Sequence, residues 1–276
     1  MPTRRQFLCL GVGAAALLAA GRALDARAQD GTRIFLPLLD APEPPPTPTP
    51  TAEPTLEPTI APPTPEPTPE PTPTVGPAPE PVPNDEGWLI WPASGRVDQA
   101  VRWFVARSTN YTEYDIQQIV GAYRDWGTAA GVDWFLALAQ CAHETGSLTS
   151  WWSQRPRRNP AGLGVTGRTL PGTPDAPPGP AWAWDGQQWR EGLSFPSWAG
   201  EAIPAHLGRL LAYALPPGQG TPYQQALIDY ALSLRPLPVR NRGAAPTITG
   251  LNGLWAVPGT TYGQSILDLA RRMRAQ

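Results

Sequence analysis

The chain has 276 residues, 38 of them proline, and a formal net charge of −2. Half of the prolines, 19, fall in the 42 positions 42–83, a stretch without a single aromatic side chain. That segment has too little apolar area to offset the entropy of ordering it. All 12 tryptophans lie between Trp88 and Trp255, which assigns the foldable part to residues 87–276 and excludes a polytopic membrane protein or two large domains. The chain has no lysine, which excludes Schiff-base chemistry and the P-loop. Residues 29–86 carry ten carboxylates against Arg33 alone, whereas residues 87–276 carry 16 Arg against 12 Asp or Glu. So small a basic excess suits a weakly anionic polymer and excludes nucleic acid as a partner.

In chain order, Arg4-Arg5 leads into an apolar run, Phe7–Ala20, followed by the small-residue site Ala26-Arg27-Ala28. This layout resembles a twin-arginine export signal over residues 1–28, which implies the twin-arginine export machinery as a partner and a secreted or cell-envelope location. The run of about 14 residues is short of the roughly 20 that span a bilayer. Residues 29–86 read as a disordered Thr/Pro/Glu-rich linker. Alternating proline, as in Glu66-Pro67-Thr68-Pro69-Glu70-Pro71, favours a stiff polyproline II spacer, and the acidic residues repel one another along it. Cleavage after Ala28 leaves Cys141 as the one cysteine, so the domain is held by packing and not by an internal disulfide.

Helical periodicity starts after Trp91. Val97, Val101, Phe104 and Val105 mark a first helix; Thr112 with Asp115 caps a second, striped by Ile116, Ile119, Val120 and Tyr123. Gly131 breaks the chain, Asp133 falls in the first turn of a third helix with Val132, Phe135, Leu136, Ala139 and Ala142 facing inward, and Gly146 stops it. Residues 155–197 are dense in glycine and proline, and Trp182–Trp189 reads as a hairpin around Asp185-Gly186. Helices return over Trp198–Ala214, Pro222–Leu234 and Thr261–Met273. The expected fold class is mainly α, a helical domain over 87–276 with a small β-rich lobe inserted in mid-chain. A groove between two such lobes suits an extended polymer.

Several motifs dissolve on inspection. Gly162-Leu163-Gly164-Val165-Thr166-Gly167 matches the dinucleotide fingerprint, but lacks the preceding strand and following helix that aim its amides. Its glycines read as a sharp backbone turn beside a ligand. His143-Glu144 begins a zinc-protease motif, yet position 147 is Ser and His206 is the only other histidine, so neither metal nor cofactor is expected. Glu144 itself stands out. It lies at the C-terminal end of a strongly apolar helix, where the dipole and burial both disfavour its charged form and raise its pKa. A raised carboxyl beside aromatic rings is an arrangement for glycosidic cleavage.

Leu136–Gly146, containing His143-Glu144, is similar to the catalytic helix of bacterial β-N-acetylglucosaminidases, glycoside hydrolase family 73. Asn159–Gly167 resembles that family's groove segment. Phe195-Pro196-Ser197-Trp198 ahead of His206, and Trp255-Ala256-Val257-Pro258 ahead of Tyr262, follow in the family's order. The resemblance covers about 110–276. It implies a lysozyme-like fold, a monomer, and cleavage of peptidoglycan at the β-1,4 bond after N-acetylglucosamine. By that match Glu144 would be the general acid and Tyr262 a groove residue near the reacting sugar; Asn159, Gly162, Gly164, Trp255, Gln140 and Trp184 are the further candidates for substrate contact. The second carboxylate does not carry over by motif. Among Asp175, Asp185, Glu191 and Glu201, Glu191 on the second hairpin strand is preferred, and the substrate's acetamido group is the alternative nucleophile. The competing classes are a lytic transglycosylase or muramidase and a non-catalytic glycan-binding module.

Overall fold

The structure, a computed structural model, describes residues 80–276. The export signal and nearly all of the linker lie outside the described residues. Within them the architecture is mainly α, with six α-helices and one three-stranded sheet.

Helix α1, Val97–Val105, and helix α2, Glu113–Ala130, form where the apolar spacing places them. Thr112 accepts from the Asp115 amide while the Asp115 carboxylate accepts from the Thr112 amide, a reciprocal cap that satisfies two orphan donors. Gly131, at φ 66°, ends α2 in the left-handed region. Helix α3, Trp134–Thr145, begins one residue later than the sequence suggested, because Asp133 stands outside the helix as its cap. Its buried carboxylate accepts from the amides of Phe135 and Leu136, and also from Ser94 and the Asn84 side chain. These bonds offset the cost of burying the group.

The expectation of a one-sided α3 does not hold. Every residue from Trp134 to Ala142 is buried, because α1, α2 and α6 all pack against this helix. A helix that is apolar on all sides takes the centre of a bundle. The later helices are α4, Ile203–Ala214, α5, Pro222–Leu234, and α6, Tyr262–Arg274. A short π-helical turn, Trp198–Ala202, leads into α4. Helices α4 and α5 cross at Gly208, where a Cβ would lie 2.0 Å from the Leu227 carbonyl oxygen. No other residue permits that approach.

The sheet has strand order β1-β3-β2, all antiparallel, with β1 Thr169–Leu170, β2 Trp182–Trp184 and β3 Trp189–Glu191. The hairpin pairs Trp184 with Trp189 and Trp182 with Glu191. At its turn the Asp185 carboxylate accepts from the Gln187 and Gln188 amides, and Gly186 adopts φ 104°. Strand β1 was not anticipated; two residues are too few to show an alternating pattern. No helix among the described residues is long and apolar enough to cross a membrane.

Candidate active site

The Glu144 carboxyl sits one residue from the end of α3, and Gly146, at φ 58°, turns the chain away immediately after it. Both the aligned C-terminal carbonyls and desolvation act against its charge. Burial raises its pKa above the ordinary carboxyl value, opposed by the Tyr262 hydroxyl and the neighbouring Trp255 indole. Tyr262 donates to Glu144 Oε1 at 2.5 Å. The other oxygen, Oε2, faces Gly162, whose Cβ position would lie 3.9 Å away.

Tyr262 is delivered by the start of α6. Its neighbour Gly263 lies against the backbone, with a Cβ position 2.4 Å from Thr249 Cα. The Gly263 amide donates to Asn252 Oδ1 at 2.8 Å. This close seating places the phenol over the end of α3, buried to 6% exposure. Burial and the adjacent Glu144 carboxyl hold the phenol well above its usual pKa. It acts as a fixed hydrogen-bond donor and does not release its proton.

The loop facing Glu144 is shaped by Asn159. Its Oδ1 accepts from the amides of Ala161 and Leu163, and its Nδ2 donates to the carbonyls of Leu163 and Leu193. Gly162 and Gly164 follow at φ 61° and 73°. They line an open cavity of about 220 Å³ together with Leu193, Arg209, Tyr213 and Trp255. Gly162 and Trp255 thus belong both to the cavity wall and to the surroundings of Glu144.

The structure therefore gathers Glu144, Tyr262, Trp255, Gly162 and Gly164. Two residues expected to touch substrate are placed elsewhere. Gln140 and Asn159 are both 0% exposed, and their amides are engaged inside the protein. Gln140 donates to the Tyr262 hydroxyl at 2.7 Å, and Asn159 braces the loop. Each shapes the site from behind. Trp184 is half-buried on β2 and packs edge-on against Trp189 at 5.4 Å; it is not among the cavity walls.

Neither Glu144 nor any of the four carboxylates weighed in mid-chain is among the residues lining that cavity. Glu191 on β3 accepts from the Thr166 hydroxyl and lies 3.4 Å from the Arg168 guanidinium. Asp185 serves the hairpin turn and pairs with Arg190 at 2.5 Å. Glu201 accepts from the amide and hydroxyl of Ser197, and Asp175 lies exposed. No cluster of three or more His, Cys, Asp or Glu side chains among the described residues is arranged to hold a metal ion.

Sequence reasoning took Tyr123 for a core residue and left His206 without a role. Both connect to the site. His206 Nε2 lies 3.0 Å from Gln140 Oε1, and His206 Nδ1 lies 2.8 Å from the Tyr123 hydroxyl. A histidine within the apolar run of α4 was the one available signal.

No family model matches the chain, and no curated protein matches it. Among solved structures, it is similar to the catalytic domain of the autolysin Auto from Listeria monocytogenes. The two are 16% identical, with a TM-score of 0.35 over 63% of this chain and 84% of that one. The functional reading rests on the geometry around Glu144.

Proposed function

We propose that the chain is an exported glycoside hydrolase of lysozyme-like fold that acts on peptidoglycan, cleaving the β-1,4 bond after N-acetylglucosamine. In this reading residues 1–28 direct export, 29–86 are a stalk, and 87–276 are the catalytic domain. The observation that carries it is the Glu144 carboxyl. It is raised in pKa by burial, held at Oε1 by Tyr262, and set with Oε2 beside Gly162, which together with Trp255 belongs to the wall of a neighbouring open cavity. A general acid near neutral pH needs a raised, oriented carboxyl with one free oxygen facing its substrate.

The proton on Glu144 passes to the glycosidic oxygen as the C1–O bond breaks. Glu191 is engaged by Thr166 and Arg168, Asp185 by Arg190 and Glu201 by Ser197, and the reading assigns the nucleophile to the acetamido carbonyl oxygen of the same sugar. That oxygen closes onto C1, and water later opens the ring formed and returns a proton to Glu144. Trp255 offers an indole face for the apolar side of a pyranose.

The experiment is digestion of purified cell wall by the full chain, wild type beside Glu144→Gln, with mass analysis of the fragments. Reducing-end N-acetylglucosamine, lost by at least about a thousandfold in the variant, supports the proposal. Anhydromuramic ends identify a lytic transglycosylase, and wall binding without cleavage identifies a glycan-binding module. A parallel Glu191→Gln chain assigns the second group: a loss like that of Glu144→Gln places it on β3 and removes the acetamido role.

A further inference from the structure

Five side chains from four helices form an unbroken line of hydrogen bonds that ends on Glu144. Tyr123 on α2 meets His206 on α4 at 2.8 Å, and His206 meets Gln140 on α3 at 3.0 Å. Gln140 meets Tyr262 at 2.7 Å, and Tyr262 meets Glu144 at 2.5 Å. Tyr123, His206 and Gln140 are each 0% exposed, so water does not substitute for any of these partners.

The direction of every bond follows from the last one. When Glu144 is ionised its carboxylate only accepts, so Tyr262 donates its one proton to Oε1, and a proton added at Oε2 leaves that bond in place. The phenol oxygen must then accept, which turns the Gln140 amide nitrogen toward it. The Gln140 carbonyl oxygen is left facing His206, which requires a proton on Nε2. Nδ1 is then bare and accepts from Tyr123. Tyr123, His206, Gln140 and Tyr262 thus all donate toward Glu144. Bonds aligned in this way polarise one another.

We infer that Tyr123, His206 and Gln140 are positioning residues for the acid, a buried relay of donors that occupies Glu144 Oε1 and confines the transferable proton to Oε2, the oxygen facing Gly162. The inference rests on Glu144 being the general acid. The imidazole serves as a fixed neutral connector; burial lowers its pKa to about 3. The other polar and titratable groups around the line are few. The Cys141 thiol lies beside Tyr123, and the His143 ring lies edge-on to Tyr262 at 5.5 Å. Tyr213 stands near Tyr262, and Trp255 lies beside Glu144. Among the described residues, no arginine, aspartate or second glutamate bonds to any member of the line.

The test has two parts, and the NMR titration in each is read without substrate. Long-range proton–nitrogen NMR of the wild-type full chain should show His206 as the Nε2–H tautomer, untitrated from about pH 4.5 to 8. An Nδ1–H tautomer, or a histidine that titrates in that range, overturns the inference. The second part is the Glu144 carboxyl titration by carbon-13 NMR beside the basic limb of the kcat/KM profile. Tyr123→Phe and His206→Leu weaken donation to Oε1, so both should move upward by roughly half a pH unit.

His206→Gln retains an acceptor for Tyr123 and a donor for Gln140, and should bring both values back toward wild type. A purely space-filling role predicts no such rescue. A folded Tyr123→Phe chain with an unmoved Glu144 titration sinks the relay, whatever its activity. A wild-type chain with the expected tautomer and shifts but no cleavage of cell wall sinks the acid assignment and leaves the relay standing.

Discussion

The candidate site centres on a single carboxyl, whose surroundings set its pKa and its cost to the fold. Burial holds the Glu144 pKa above the ordinary value, so folding favours the protonated form. Its stabilising contribution is complete below the ordinary carboxyl pKa and is lost as pH rises through the raised value. At neutral pH and above, Glu144→Gln should therefore stabilise the fold by roughly 0.5–2 kcal/mol, with the gain vanishing toward pH 4. Melting curves of both chains across that range check it; a variant less stable at neutral pH would show that the carboxylate is no burden there. His206 runs the other way. Its pKa is lowered to about 3, so its contribution is present above the ordinary histidine value and lost as pH falls from about 6.5 toward 3. Over that window wild type should lose up to roughly 1.4 kcal/mol per pH unit relative to His206→Gln. Parallel pH–melting curves for the two chains would remove this account.

At the scale of elements, the sequence located α3, α5 and α6 within one residue, whereas the helix expected over Trp198–Ala214 divides into a π-helical turn and α4 from Ile203. Thr112 with Asp115, Gly131, Asp133 and Gly146 are local signals that need no partner to be read. Less legible was the environment of each face. Helix α3 was assigned an inward stripe, yet it is covered all round; the coverage comes from α1, α2 and α6, distant in sequence. Gly208 is a similar case. Nothing in the pattern of α4 marks it, but α4 and α5 approach at that position so closely that a methyl group would meet the Leu227 carbonyl. Gly208→Ala should destabilise by roughly 3 kcal/mol, at the upper end of overpacking costs, although alanine is the better helix former. Chemical denaturation measures this, and an unchanged midpoint would mean that the two helices do not cross there. Asn159 shows the same divide in a loop: the motif identified the residue, while only its four bonds to backbone reveal that it braces the turn from inside.

At the scale of the whole molecule, residues 80–276 are held by packing, and Cys141 lies free at the centre, 0% exposed. Desolvation pushes its thiol up to about 12, so the nucleophilic thiolate is suppressed in the fold. A thiol reagent should label Cys141 only as fast as the domain unfolds, and mass mapping against denaturant would show labelling rise with the unfolding transition. Rapid native labelling would place Cys141 outside the core. By itself the sequence determined the division into a proline-rich segment and a tryptophan-bearing one, the mainly α class and the ends of α3, α5 and α6 to within one residue. It also selected Glu144, because a carboxyl at the end of an apolar helix is a local anomaly. Tertiary structure decided the company that Glu144 keeps. Tyr262 reaches it across 118 positions and His206 reaches Gln140 across 66, distances over which no periodicity or capping rule operates. It also withdrew Gln140 and Asn159 from the groove and gave Glu191 other partners. The physical reason is the same in each case: a helix or turn is specified by neighbours along the chain, whereas a buried polar group is specified by whatever the packed core brings within hydrogen-bond reach.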